Sequence, residues 1–196
     1  TPGVAGSFDY TVTVTGSCST NAVATGTITV QDAVAGGNIQ LVSTAVCEGA
    51  SASMTLMDQV GTIIGWESSV DGGTTWSGPN GNTTISENPL NVLVPTLWRV
   101  EVNNGCGTAY SAIATVSIHN LWTGANNTTD WNTGSNWSDG LVPSTSCPTV
   151  KIPVVAINKY PILSTGPVAT ITNLQIDAGA SVTITGNTIQ IAGTIT

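Results

Sequence analysis

The residues with most chemistry to offer are few. Trp122, Trp131 and Trp137 lie among Asn, Thr, Ser and Gly. Aromatic faces in such company can stack on sugar rings, but in a β-rich domain such side chains more often form a core. Glu48, Glu67, Glu101, Asp130 and Asp139 are the candidates for a carboxylate pair flanking a glycosidic bond. Eleven acids in one chain bring some two together by chance, so hydrolysis is not the expected chemistry. Asp130 and Asp139 fall in Asn-rich turns that could offer oxygens to Ca²⁺, but they are weak candidates and capped turns are the expected reading. His119 is the only histidine and no CxxC spacing exists, which argues against zinc and leaves His119 as a solvated linker residue. No triad, phosphate loop or nucleophile elbow is present. The expectation is a protein that is not an enzyme and holds no cofactor and no metal.

Composition narrows the partners. The 196 residues include three Lys or Arg against eleven Asp or Glu, for a net charge of −8. Arg99, Lys151 and Lys159 are too few and too scattered to neutralise phosphates, which excludes nucleic acid. An anionic membrane would repel the chain, and no apolar run approaches the ~18 residues of a spanning helix, so no membrane insertion is expected. Nor does a basic segment followed by an apolar stretch open the sequence, so neither leader nor anchor is expected in it. Four cysteines in an acidic, Lys-poor chain point to an oxidising, extracellular or cell-surface setting.

The elements that must position these residues are strands. Abundant Thr, Val and Ile favour pleated surfaces, and 22 Gly with 9 Pro supply turns, so the fold class is all-β. Tyr10 to Val30 aligns without a gap on Trp98 to Ile118, and each copy reads as an alternating strand, a Cys-bearing connection and a second alternating strand. Two isolated strands cannot bury a face in water. Residues 1–31 are therefore expected to be the C-terminal hairpin of a preceding, similar unit, whether within one longer chain or completed by an identical chain. Residues 32–38 read as a linker and 39–119 as one sandwich. Its expected strands are Ile39–Ser43, Ala52–Leu56, Ile63–Ser68, Thr83–Ile85, Asn91–Val94, Leu97–Asn103 and Ala109–Ile118. Trp66 is expected between the sheets, with Trp98 and Tyr10 bracing corners. Cys47, ahead of the second strand, and Cys106, in the last hairpin, are expected to form a disulfide worth roughly 4 kcal/mol; Cys18 and Cys147 are left without assigned partners. Residues 120–196 form a Trp- and Gly-rich β module, in which Gly179, Gly186 and Gly193 punctuate short strands from Ile171 onward. This pattern suggests the first rungs of a solenoid or roll, cut at Thr196 from something longer.

Two resemblances follow from these residues. Val46-Cys47-Glu48-Gly49, Gly65-Trp66 through Trp76, and Trp98 through Cys106 resemble the immunoglobulin-like repeats of very large surface and secreted proteins of Bacteroidota. Trp122-Thr-Gly through Asn136-Trp137-Ser138, then Val142-Pro143, Lys151-Ile-Pro153 and Tyr160-Pro161, resemble a second module of those proteins that leads into a β-solenoid. The resemblance implies an adhesin-like or structural, non-catalytic segment of a surface protein exported by type IX secretion. Its implied partners are neighbouring repeats or identical chains, with polysaccharide or cell-surface glycan as a further possibility. The alternatives are a carbohydrate-binding accessory module, using Trp122, Trp131 or Trp137, and a fibre subunit completed by strand exchange. Separately, Ser69-Val-Asp71-Gly-Gly73-Thr-Thr75-Trp76 resembles the Asp-box turn of sialidase propellers. It is expected as a folding device, because a sialidase needs several arginines and this chain has only Arg99.

Overall fold

The computed structural model describes residues 4–16, 22–156 and 159–196. It is all-β; among these residues the one helical element is a single 3-10 turn at Gly134–Asn136. No helix among them is long and apolar enough to cross a membrane.

Strands β1 (Gly6–Val14) and β2 (Ala22–Val30) form a two-stranded antiparallel sheet from Gly6 opposite Val30 to Val14 opposite Ala22. Period-2 alternation sorts it into two faces. On one face, Asp9 accepts a hydrogen bond from Thr27 and Ser7 meets Thr29. The other carries Phe8, Tyr10, Val12 and Val14 opposite Ile28, Gly26, Ala24 and Ala22. Tyr10 lies across Gly26, where a Cβ would meet its phenol oxygen at 2.5 Å. Tyr10 is nonetheless 47% exposed, so it braces no corner in the described structure.

The sandwich is built from β3 (Asn38–Leu41), β4 (Ala45–Val46), β5 (Met54–Met57), β6 (Thr62–Ser69), β7 (Ser86–Glu87), β8 (Thr96–Asn103), β9 (Thr108–Tyr110) and β10 (Ala114–Ile118). One sheet runs β4-β10-β8-β6 with β9 also on β8, and the other runs β3-β5-β7. Met54, Leu56, Ile63, Trp66, Val100, Val102, Val116 and Ile118 are buried in one shared core. A register shift between Ile63 and Gly65 re-aims β6, so that Ile63 and Trp66 both point inward despite their odd spacing. Trp66 is fully buried and donates its indole N–H to the Thr84 carbonyl at 3.0 Å. Trp98 is half-buried against the same core, its indole nitrogen without a partner.

Three strand expectations are corrected. Thr83–Ile85 is not a strand, and the short β7 lies just beyond it. Asn91–Val94 holds its place through Val92, which exchanges both backbone hydrogen bonds with the Gly49–Ala50 turn rather than with a strand. The single strand expected over Ala109–Ile118 is divided into β9 and β10 where the buried Ser111 hydroxyl accepts the Val100 N–H.

The remaining strands are β11 (Thr149–Ile152), β12 (Ile162–Leu163), β13 (Ala169–Ile171), β14 (Asn173–Ile176), β15 (Thr183–Ile184) and β16 (Ile189–Ile191). They pair in parallel as β11 with β14, β12 with β15 and β13 with β16, and Leu174 bridges onward to Ile195. Parallel pairing of each side with the same side one coil later makes a three-sided solenoid. It starts well before the expected Ile171, because Leu121 already bridges Lys151 and Asp130 bridges Ile162, both in parallel. Corners stack closely: at Gly193 a Cβ would fall 2.2 Å from the Asn173 amide oxygen, so glycine is required by contact with the coil below. Asn173 itself donates to the Pro148 carbonyl and accepts from the Thr194 N–H, linking three successive coils.

Candidate functional site

The Ser69-to-Trp76 turn has its chemistry turned inward. Asp71 accepts the Thr75 N–H at 2.9 Å, the Thr75 hydroxyl at 2.6 Å and the Ser69 hydroxyl at 2.7 Å. The Thr75 hydroxyl, then the Thr75 amide and the Ser69 hydroxyl, hold its carboxyl down to about 2. Gly73 sits at φ +88° and donates to the Ser69 hydroxyl, a geometry that a side chain would strain. Trp76 closes the turn through its indole N–H to the Gly73 carbonyl and places its ring 4.1 Å from the Arg99 guanidinium. Tyr110 covers the opposite side at 4.0 Å, and Glu67 accepts the Arg99 Nε–H at 2.6 Å. The one arginine is therefore clasped between two aromatic rings and a carboxylate buried to within 5% of full.

Trp122, Trp131 and Trp137 are 1%, 0% and 2% exposed. The alternative of a sugar-stacking role for them is corrected, since none presents a ring face to solvent. Trp137 stands edge-on between the other two, with centroids 5.0 Å from Trp122 and 4.9 Å from Trp131. Trp137 donates to the Trp131 carbonyl and Trp122 to the Lys159 carbonyl. They pack on Val150, Ile152, Leu163, Ile171 and Leu174, which are the inward residues of the coils. Buried Asn136 ties the loops over them, donating to the Thr128 hydroxyl and the Asp130 carbonyl. Asp130 caps its own turn by accepting from the Asn132 N–H and the Thr133 hydroxyl. Asp139 faces His119 and the Leu141 N–H. The two weak calcium candidates are thus each engaged locally, and no group of three His, Cys, Asp or Glu able to hold a metal occurs among the described residues.

The junction between sandwich and solenoid gathers most of the remaining reactive side chains. Cys47 is bonded to Cys147, with Cα atoms 5.5 Å apart. This corrects the expected pairing with Cys106. Val46 pairs with Ile118 beyond the start of β8, whereas Cys106 follows its end. The eight residues of β8 put about 25 Å between those two ends, far outside disulfide reach. Cys106 is a free, exposed thiol with its sulfur 3.3 Å from the Gln31 side-chain oxygen; Cys18 lies outside the described residues. Beside the disulfide, Lys151 donates to Glu48 at 2.5 Å. His119 is not the solvated linker residue expected, because its Nδ1 lies 2.5 Å from the Asp139 carboxylate, whose side chain is only 5% exposed. Ile118 adds a backbone bond to the Ser138 hydroxyl. Three of the five acids considered for hydrolysis, Glu48, Glu67 and Asp139, thus face basic side chains in structural positions.

An open recess of about 610 Å³ lies where the hairpin meets the loop end of the sandwich, and Asp32 is its sole charged lining residue. Of its polar side chains, Asn103 bonds to Gly105 and Thr108, and Asn104 to the Asp32 carbonyl and the Cys106 N–H.

Residues 35–120 match a family described as a domain of unknown function (DUF8696). The matched stretch begins at Ala35, which bridges to Val60, and ends at Asn120, just past β10, so it coincides with the sandwich. No curated protein matches the chain.

Sequence reasoning missed Cys147, Lys151 with Glu48, and His119 with Asp139. The available signal was Cys147 itself, a cysteine with no counterpart in the internal repeat and therefore free to join unlike units.

Proposed function

We propose that the chain is a non-catalytic structural or adhesive segment of a large extracellular bacterial surface protein, a spacer in which β units follow one another in series. The observation that carries this reading is the junction. A disulfide, the Lys151–Glu48 pair and the His119–Asp139 contact join two different β units at one place, while Asp71, Arg99, Asp130 and the three tryptophans are engaged in turns and stacks elsewhere. A covalent cross-link there suits an oxidising exterior, and serial joining suits a part that holds its neighbours at a distance. Its partners on this reading are the neighbouring repeats of the same protein.

Protease shaving of intact producing cells tests the location. Peptides from residues 22–156 should be released into the medium at early times, with the Cys47–Cys147 linkage intact before reduction. Recovery only after lysis, or with Cys47 and Cys147 reduced in the cell, would overturn the proposal.

A further inference from the structure

The repeat places the same residue types in two different environments. Tyr10, Val12, Val14 and Ile28 of the hairpin correspond to Trp98, Val100, Val102 and Val116 of the sandwich. Val100, Val102 and Val116 are 0% exposed, whereas Val12, Val14 and Ile28 are 50%, 63% and 50% exposed. In the sandwich that burial comes from β3 and β5 of the facing sheet and from β6 beside β8. The hairpin keeps the alternation that such a cover requires but has no cover among the described residues.

We propose that the apolar face of β1–β2 is the back half of a second sandwich. Its front sheet comes from the polypeptide on the N-terminal side of β1, as β3 to β7 stand to β8 to β10. The complement lays one strand antiparallel along the free edge of β1, as β6 lies on β8, and another parallel along β2, as β4 lies on β10. This deepens the tandem-repeat reading above and rests on it. A second copy of the chain is the weaker occupant. Two strands of nine residues present a face of only about 30 by 10 Å. That is well short of the ~800 Å² per partner of a stable interface, and face-to-face docking would leave both strand edges unpaired. A front sheet in cis covers the face, pairs both edges and adds no cost of association.

The test is a Val12→Cys variant, labelled by a maleimide in two settings and quantified by mass spectrometry of the peptide carrying residue 12. In the purified 196-residue chain the thiol should label freely, and the chain should sediment as a monomer. In the full-length protein on producing cells it should label at least tenfold more slowly. Equal rates in the two settings, or a dimer of the purified chain that protects residue 12, would overturn the proposal. A second arm extends the full chain by joining a copy of residues 38–95 directly ahead of Phe8, which preserves the spacing of the intact unit. Amide exchange in β1 and β2 should then slow at least a hundredfold, and Val12→Lys should abolish the gain. An extended chain that folds with its hairpin still exchanging freely counts against the proposal. These outcomes separate from the function itself, because an uncovered hairpin leaves surface release by protease unchanged.

Discussion

Removing the Cys47–Cys147 cross-link perturbs the chain at the point where its two folded units meet. The bond closes a loop across a sequence separation of 100 that contains nearly the whole sandwich. In the chain-entropy model, a loop of that length destabilises the unfolded state by about 4.7 kcal/mol. With a urea slope of about 2 kcal/mol/M for a unit this size, the Cys47→Ala, Cys147→Ala double variant should unfold at a midpoint lower by roughly 2 M. The loss should appear in Trp66 fluorescence, which reports the sandwich core. The Lys151–Glu48 pair remains in the variant, but a part-exposed ion pair contributes about 1 kcal/mol at most and cannot compensate. Reducing the wild type with dithiothreitol under native conditions should give the same shift, and Cys106→Ala should give none. A double-variant midpoint within about 0.5 M of wild type would refute the loop-closure argument. Non-reducing peptide maps that join Cys47 to Cys106 would refute the structural assignment itself.

Other outcomes follow from the same geometry. Trp131→Ala should cost the solenoid about 3–5 kcal/mol by opening a cavity among Trp137, Val150 and Leu163, read as an early loss of near-ultraviolet dichroism. Because the Asp71 carboxyl is held at about 2 when folded, below its ordinary value, it supports the turn fully above about pH 4 and ceases to as pH falls through about 2. Exchange of the Thr75 amide should accelerate across that window in wild type and be already fast, with no such step, in Asp71→Asn. Pulled from its two ends, the oxidised chain should withhold about 350 Å of contour length, for a separation of 100 residues at ~3.5 Å each, and release it on reduction.

Strand alternation carried the sandwich and the hairpin because period-2 patterning is local. Val12 with Val14, and Val100 with Val102, declare their shared face whatever packs on it. Trp66 was legible as core even though a bulge at Gly65 breaks its parity with Ile63, since a tryptophan within a strand has few other places to go. Long-range contacts were not legible. The first coil built of paired strands joins Val150 with Leu174 across three prolines and two loops, whereas the later coils pair Ile171 with Ile191 across glycine corners at regular spacing. Only the regular coils announce themselves, so the pattern places the start of the solenoid at Ile171 and leaves the tryptophans open between core and sugar platform. The disulfide failed for a related reason. Adjacency to a strand locates a cysteine along the chain but not at which end of the sandwich it lies, and the length of β8 separates the two ends.

The buried tryptophans also explain why the junction can be so small. A solenoid coil buries its inward side chains on the coil above and the coil below, so a first coil has one apolar side with nothing beneath it. Trp122, Trp131 and Trp137 close that side from within the chain, and Asn136 fastens the loops that hold them. The sandwich then has no exposed solenoid core to cover, and its contacts with the next unit include Cys47–Cys147, Glu48–Lys151, His119–Asp139, the Ile118 N–H to the Ser138 hydroxyl, and Leu121, which packs on the sandwich core and bridges to Lys151. Apart from Leu121, these contacts are polar or covalent, so little apolar packing holds the joint once that bond is cut. The separation of the two units should therefore respond to reduction far more than to salt. Small-angle scattering of the reduced and oxidised protein at matched ionic strength measures this. An unchanged profile on reduction would mean that packing, and not the cross-link, holds the units together.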